Sequence, residues 1–210
     1  MDGRKVKVFV VDDDAAMRKS LRWLIESVGL EVEAFASANE FLDAVTQDAA
    51  GCLLLDVRMP GMSGLDLQEQ LKQKRISLPV IMVTGHADVP MAVRALKSGA
   101  FDFIEKPFND QVLLERVQRA IEFEEQAQTE HAKRAEIDGR IESLTPRERQ
   151  VMEMVVNGMA NKQIAAELGL SEKTIEVHRK HVMDKMRAGN VADLIRMVLA
   201  GSSIGGDFAD

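Results

Sequence analysis

The stretch that decides the fold is Val6-Lys7-Val8-Phe9-Val10-Val11-Asp12-Asp13-Asp14, a short apolar run that ends in three aspartates. Four more apolar runs follow within the first 123 residues, separated by longer amphipathic stretches. They cover residues 32–35, 52–55, 80–83 and 101–104. This alternation is typical of a parallel sheet with crossover helices, and apolar runs of this kind suit strands covered on both faces. We therefore predict a doubly wound, five-stranded parallel α/β domain over residues 1–123.

Length and composition limit the class of protein. The chain has 210 residues, 46% of them hydrophobic, which suffices for one large or two small domains. No apolar run approaches the roughly 18 residues of a membrane span, and the N-terminus lacks a signal-peptide cleavage site. The single cysteine, Cys52, lies in an apolar run and is expected to be a small buried side chain. These features predict a soluble, cytoplasmic protein without membrane contacts.

The second half of the chain shows no strand pattern. Residues 124–143 are rich in good helix formers and predict a helical linker, with pairing to a second copy as a weaker alternative. A capping box at Thr145-Pro146-Arg147-Glu148 begins the next helix. Gly169 and Ser171 then separate two further helices, and a fourth is expected at 191–200. The sequence therefore predicts an all-α, four-helix domain over residues 144–204.

Polar residues follow the predicted strands. Asp12 and Asp13 follow the first strand, Asp56 the third, Thr84 the fourth and Lys106 the fifth. Because the carboxyl ends of parallel strands meet at one edge of the sheet, we expect these side chains to share a pocket. Carboxylates gathered in this way suit Mg²⁺, with Asp13 and Asp56 as direct ligands and Asp12 acting through water.

Such a pocket is suited to phosphoryl transfer onto a carboxylate. Asp56 is the candidate nucleophile, and Mg²⁺ would bridge it to the incoming phosphoryl oxygens. Lys106 would neutralise another oxygen, and the Thr84 hydroxyl would donate to a third. Taken alone, each of these residues could instead be a turn residue, a strand end or a solvated charge. Their occurrence together at the strand ends favours the phosphoryl-transfer pocket.

The first domain resembles the receiver domains of two-component response regulators, which have a flavodoxin-like fold. The resemblance rests on Val10-Val11-Asp12-Asp13-Asp14, Leu55-Asp56-Val57-Arg58-Met59-Pro60-Gly61-Met62-Ser63-Gly64, Val83-Thr84-Gly85-His86 and Phe103-Ile104-Glu105-Lys106-Pro107-Phe108. It implies a histidine kinase as phosphodonor, Mg²⁺ dependence, the Arg58 backbone carbonyl as a metal ligand and a cis Lys106–Pro107 bond. It also implies that Phe103 is a switch aromatic that rotates inward on phosphorylation, against the alternative of an ordinary core phenylalanine.

The predicted four-helix domain contains a helix-turn-helix pattern at residues 161–186. Although the whole chain carries a net charge of −7, residues 145–200 contain nine Lys and Arg against seven acidic residues, a net charge of +2. On the third helix of this domain, Val177, Lys180 and Glu176 are candidates for reading base edges. The candidates for phosphate contacts are Lys162, Lys173, Thr174 and Arg179, with a solvated helix face as the alternative.

This segment resembles the DNA-binding domain of the NarL/FixJ (LuxR-type) regulators. The resemblance rests on Leu144-Thr145-Pro146-Arg147-Glu148, Lys162-Gln163-Ile164-Ala165, Ser171 and Thr174-Ile175-Glu176-Val177-His178. It implies binding to double-stranded DNA and a dimer contact through the last helix, which has two apolar faces. The candidate dimer residues are Val191, Leu194, Ile195 and Val198, with Met197 and Leu199 as the alternative face. His178 and His181 lack a third ligand nearby, so no zinc site is predicted.

Together these interpretations predict a transcription regulator in which phosphorylation of Asp56 by a histidine kinase favours a homodimer and sequence-specific DNA binding. Val89-Pro90-Met91-Ala92-Val93 favours the FixJ-like branch, whose receivers dimerise through this region. RNA polymerase is a further candidate partner. Two rivals remain: an interaction protein that has lost DNA recognition, and a metal-dependent phosphatase that acts on an external substrate.

Overall fold

The structure is a computed structural model that describes residues 5–85 and 89–201. His86 of the third motif, the side chains of residues 89–92 and the end of the predicted domain at 202–204 lie outside the described parts. The chain divides into two compact units, Met1–Ala127 and Gln128–Asp210.

The first unit contains the predicted five-stranded parallel sheet. The strands are β1 (Lys7–Val11), β2 (Glu31–Phe35), β3 (Gly51–Asp56), β4 (Val80–Thr84) and β5 (Asp102–Glu105). Their order in the sheet is β2-β1-β3-β4-β5, so the chain winds outward in both directions from β1. The helices are α1 (Ala15–Glu26), α2 (Ala38–Ala44), α3 (Gly64–Gln73) and α4 (Val89–Lys97), and α5 (Asp110–Glu142) begins in this unit.

Two apolar cores cover the two faces of the sheet, as the continuous apolar strands predict. Alternate residues of β1 point to opposite sides, so Phe9 and Val11 join one core while Val8 and Val10 join the other. Cys52 on β3 is fully buried, and burial raises the pKa of its thiol to about 12. This thiol is therefore a packing group, in agreement with the sequence.

The helix caps follow the polar residues that the sequence marks as starts. The carboxylate of Asp14 accepts the Ala16 N–H at 2.8 Å and caps α1. Ser63 and Asp66 form a reciprocal capping box at the start of α3. These bonds satisfy N–H groups that have no partner within the helix, and they fix where the chain leaves the sheet.

Helix α5 continues through the segment predicted as a linker. It is helical from Asp110 to Glu142, and the division between the two units falls inside it, between Ala127 and Gln128. The prediction that the fifth helix runs on is therefore confirmed. The predicted domain limits of 1–123, 124–143 and 144–204 remain predictions.

Within residues 128–201, the regular elements of the second unit are all helices. After the end of α5 it contains α6 (Pro146–Val156), α7 (Asn161–Leu168), α8 (Glu172–Met186) and α9 (Val191–Ala200). Thr145 and Glu148 form the predicted capping box with Pro146 in the first turn, and Gly169 ends α7 at a φ of 65°. This left-handed conformation suits glycine, which explains the sharp turn into α8.

The core of the second unit corrects one prediction. Leu194 and Val198 of α9 are 0% and 3% exposed and pack among core residues of α6, α7 and α8. They are wrong as dimer contacts, because a second copy could reach them only if this unit opened. Val191 and Ile195 are half-buried, whereas Leu199 on the alternative face is 75% exposed.

Within residues 5–85 and 89–201, no helix is both long enough and apolar enough to cross a bilayer.

Candidate functional site

Polar side chains gather at the carboxyl edge of the sheet. Asp12 and Asp13 follow β1, Asp56 ends β3, Thr84 ends β4 and Lys106 follows β5. Asp12, Asp56 and Thr84 are buried, while Asp13 is exposed to solvent. Parallel strands end at the same edge, so residues far apart in the sequence become neighbours here.

Three carboxylates in this pocket form a compact cluster. One oxygen each of Asp12, Asp13 and Asp56 lies within 4.8 Å of the other two. Ionised carboxylates at such separations repel each other unless a cation lies among them. Hard divalent cations prefer oxygen ligands, so the donor set fits Mg²⁺. The cluster is the candidate metal centre.

Lys106 supplies a positive charge to the same pocket. Its Nζ lies 2.7 Å from Asp12 Oδ2 and 3.2 Å from Asp56 Oδ2. Burial raises the pKa of Asp56 above its usual value, and the Lys106 charge and the Arg58 N–H only partly offset this effect. Burial lowers the pKa of Lys106, but its bonds and charge interactions with Asp12 and Asp56 outweigh that effect and leave it raised.

Backbone contacts hold the acidic loops in place. Asp56 Oδ1 accepts the Arg58 N–H at 3.2 Å, and Asp12 Oδ1 accepts the Asp14 N–H at 2.9 Å. The Arg18 guanidinium on α1 donates to the Asp12 carbonyl oxygen at 2.7 Å. These bonds orient the Asp12 and Asp56 carboxylates and hold the loop that follows β1. Arg18 is a contributor that sequence reasoning missed.

Thr84 and Phe103 lie on strands next to the cluster. Val83 pairs in register with Asp56, which places Thr84 one residue beyond it, and Phe103 is half-buried against the core. The Phe103 carbonyl accepts from Arg116 at 3.2 Å, and its N–H donates to Asp102 at 2.7 Å. Arg116 and Asp102 also form an ion pair, so both backbone groups of Phe103 are held at the free edge of β5.

In the second unit, α7 and α8 form a helix-turn-helix. Ser171 caps α8, and its hydroxyl oxygen lies 2.8 Å from that of Thr174. Ile175 and Val182 face the core, whereas Val177 is 46% exposed. An α-helix carries residues three or four positions apart on one face, so Lys173, Val177 and Lys180 form an outward face.

The candidate DNA contacts differ in their exposure to solvent and in their hydrogen-bond partners. Lys162 and Lys180 are exposed, and the exposed Lys173 lies 3.1 Å from Glu176. Arg179 differs from the expectation, because it is half-buried and donates to Asn161 Oδ1 at 2.9 Å. Arg179 therefore links α8 to Asn161, the first residue of α7.

A partly buried ion pair joins Glu148 on α6 to Lys185 on α8. Glu148 is 4% exposed, accepts the Thr145 N–H at 2.8 Å and lies 2.6 Å from Lys185 Nζ. The hydrogen bond from Lys185 exceeds the opposing effect of burial and lowers the pKa of Glu148 to about 2. The capping-box pattern predicts the local bond, but no local signal indicates the partner 37 positions away.

The fold and the pocket define a response regulator, with an acidic receiver pocket and a helix-turn-helix. Residues 8–118 match the family of the response regulator receiver domain, and residues 142–198 match the bacterial regulatory proteins of the luxR family. The chain belongs to the LuxR-type (NarL/FixJ) response regulators.

Named relatives agree with this assignment. Nodulation protein W of Bradyrhizobium diazoefficiens is 52% identical over 193 residues, covering 92% of this chain and 85% of that protein. Transcriptional regulatory protein FixJ of Azorhizobium caulinodans is 49% identical over 193 residues, covering 91% of each. The solved structure of response regulator StyR is 42% identical, covers 93% of this chain and 98% of its own, and superposes with a TM-score of 0.85.

Family membership settles the broad function. The protein is a transcription regulator with a receiver, which implies a histidine kinase partner, and a LuxR-type domain, which implies DNA binding. The relatives are transcription regulators, so the family favours a regulator over a phosphatase for external substrates. Receivers bind Mg²⁺ at an acidic pocket, and Asp12, Asp13 and Asp56 form such a pocket here.

Proposed function

We propose that a histidine kinase phosphorylates Asp56 and that this modification controls dimerisation and sequence-specific DNA binding. The observation that carries the proposal is the buried Asp56 carboxylate, which lies 3.2 Å from the Lys106 ammonium and within 4.8 Å of two further carboxylates. An aspartate that only ends a strand would need neither a neighbouring lysine nor two further carboxylates. Phosphoryl transfer onto Asp56 needs all of them.

The proposed transfer begins with an Asp56 carboxylate oxygen that attacks the phosphorus of a phosphohistidine. A P–O bond forms while the P–N bond breaks, and the imidazole nitrogen leaves with the bonding electron pair. Lys106 neutralises one phosphoryl oxygen, because its ammonium already lies beside Asp56. The Thr84 hydroxyl, at the end of the neighbouring strand, donates to another phosphoryl oxygen.

The proposed metal ligands are Asp13, Asp56 and the backbone carbonyl of Arg58, with Asp12 acting through water. Bound Mg²⁺ supplies positive charge that stabilises the transferring phosphoryl group. The Arg58 N–H bond to Asp56 supports this assignment, since it fixes the loop that carries the proposed carbonyl ligand. Phe103 is the proposed switch aromatic that responds to the Thr84 contact.

Dimerisation is proposed to use apolar side chains that are exposed in each unit. On α4, Val93 and Leu96 are 42% and 48% exposed, which supports a receiver contact in the fourth and fifth βα units. On α9, Leu199 is the exposed candidate, with Val191 and Ile195 at the margin. Two-fold DNA sites are the natural target of such a dimer.

For DNA recognition, α8 is proposed to enter the major groove. Val177, Lys180 and Glu176 are the candidate base readers, and Lys162, Lys173 and Thr174 are the candidate phosphate contacts. Arg179 is proposed to reach phosphate only if it leaves Asn161. A regulator of this kind acts in the cytoplasm, with RNA polymerase as a further partner.

Incubation of the protein with Mg²⁺ and a small phosphodonor such as acetyl phosphate tests the phosphorylation step. The wild-type chain is expected to incorporate one acid-stable, base-labile phosphoryl group, and Asp56→Asn none. Asp13→Asn should lose Mg²⁺ binding, whereas Asp14→Ser, which keeps a helix-capping side chain, should retain it. Equal incorporation by wild type and Asp56→Asn would refute the assignment.

A further inference from the structure

The end of α5 is part of the core of the second unit. Ile141 is 2% exposed in that core, and Ile137 packs against it. The luxR-family match begins at residue 142, so these side chains lie upstream of the matched segment. The second unit therefore relies on residues that the family pattern does not include.

Arg140 joins the end of α5 to the end of α8. Its Nη1 lies 3.0 Å from the carbonyl oxygen of Met186, the last residue of α8. Its Nη2 lies 2.6 Å from Glu136 Oε1, one turn earlier on α5. These two bonds hold the guanidinium between Met186 and Glu136. The Arg140 side chain is only 19% exposed, so it is largely shielded from water.

This contact suits the chemistry of a helix terminus. The last four carbonyls of an α-helix have no partner within the helix, and the terminus carries partial negative charge. At the end of α8 the Arg187 N–H bonds to Asp184 and the Ala188 N–H to Met183. Arg140 provides both a donor and a positive charge for the Met186 carbonyl.

Three further hydrogen bonds fix the same junction. Lys185, in the last turn of α8, donates to the Ser143 carbonyl at 3.2 Å and to Glu148 at 2.6 Å. Arg149 on α6 donates to the Ile141 carbonyl at 3.3 Å. The C-terminal end of α8 is thus anchored to the end of α5 and the start of α6 by charged side chains.

We infer that Arg140 is a positioning residue for DNA recognition, which orients α8 by holding its C-terminal end. This inference rests on the proposed function, in which α8 reads DNA. Arg140 acts through α8, because Met186 lies roughly 14 Å along the helix axis from Val177 at 1.5 Å per residue. Loss of the anchor lets α8 tilt, and a tilt weakens base contacts more than contacts to phosphates, which are reached by long, flexible side chains.

The test compares the full chain, treated with acetyl phosphate, with its variants on two DNA duplexes. One duplex is selected by the wild-type chain from a random pool, and the other has an unrelated sequence. The variants are Arg140→Met, which keeps the bulk but not the charge, and Arg140→Lys, which keeps the charge. The control is Arg134→Met on the same helix, since Arg134 is exposed and has no ion pair or hydrogen bond within the described residues.

Arg140→Met is expected to bind the selected duplex about tenfold more weakly, which is the effect of one charged hydrogen bond. Its binding to the unrelated duplex and the slope of log affinity against log salt should stay unchanged. Arg140→Lys should recover part of the affinity, and Arg134→Met should match the wild type. Circular dichroism establishes whether each variant is folded. If Arg140→Met is unfolded, the affinity of Arg140→Lys for the selected duplex is compared with that of the wild type instead.

Three outcomes would overturn the positioning role. The first is equal binding of the selected duplex by both methionine variants, and the second is wild-type affinity in Arg140→Lys together with an unfolded Arg140→Met. The third is a salt slope that falls by about one ion, which indicates a direct phosphate contact. Failure of the wild-type chain to select any sequence would instead refute the proposed function.

Discussion

Lys106 and Asp12 form an ion pair of 2.7 Å between Nζ and Oδ2, although 94 positions separate them in the sequence. The same ammonium lies 3.2 Å from Asp56. The pocket therefore contains a positive charge that offsets part of the repulsion among its carboxylates. An incoming cation must share these ligands with Lys106.

This geometry predicts that Lys106→Met binds Mg²⁺ more tightly than the wild type. Removal of an adjacent positive charge eliminates repulsion and releases two carboxylate oxygens, so we expect an affinity gain of about tenfold. Calorimetric titration with Mg²⁺ alone measures the change. Lys97→Met, which removes an exposed lysine at the end of α4, is the control and should leave the affinity unchanged. Weaker binding by Lys106→Met would contradict the prediction.

The ion pair between Glu148 and Lys185 predicts a dependence of stability on acid. The pKa of Glu148 in the folded state is lowered to about 2 from an ordinary value near 4.5. Its stabilising contribution is therefore present above about pH 4.5 and is lost as the pH falls towards 2. Glu148→Gln should lower the stability of the protein at pH 7 by about 1–2 kcal/mol and should flatten the acid dependence.

Urea unfolding followed by circular dichroism between pH 3 and pH 7 tests this expectation. Glu167→Gln serves as the control, because Glu167 is exposed on α7 and has no ion pair among the described residues. If both variants show the same slope of stability against pH, the pair with Lys185 does not determine the acid sensitivity.

Two glycines should respond to alanine in opposite ways. At Gly64 a Cβ would lie 2.3 Å from the Asp56 carbonyl oxygen, so backbone next to the proposed phosphoacceptor must shift. We expect Gly64→Ala to lower stability by about 2 kcal/mol and to slow phosphorylation from acetyl phosphate. At Gly139, inside α5, a Cβ meets nothing within 4 Å, so Gly139→Ala should raise stability by about 0.5–1 kcal/mol. Thermal unfolding compares the two, and an equal effect of the same sign would contradict the prediction.

Periodicity and helix caps predict most of the fold. The apolar runs mark all five strands to within one or two residues, and the bounds of α7 and α9 agree with the cap positions. The acidic cluster also follows from topology, because parallel strands bring their carboxyl ends together. Strands and helix ends can be predicted from the sequence because the residues that specify them lie within or next to them.

Tertiary pairing explains what the sequence does not predict. The bonds from Arg140 to Met186 and from Lys185 to Glu148 span 46 and 37 positions, and no short pattern encodes them. For α9, an apolar stripe indicates that a face is covered but not what covers it. The stripe alone therefore suggests a dimer contact for Leu194 and Val198, whereas both lie in the core of their own unit.

The central claim is that phosphorylation of Asp56 controls DNA binding, and footprinting on a duplex selected from a random pool tests it most directly. Wild type and Asp56→Asn are compared with and without acetyl phosphate and Mg²⁺. We predict that the phosphodonor increases protection by the wild type at least about tenfold and leaves Asp56→Asn unchanged. Equal protection by both proteins, with no response to the phosphodonor, would contradict it.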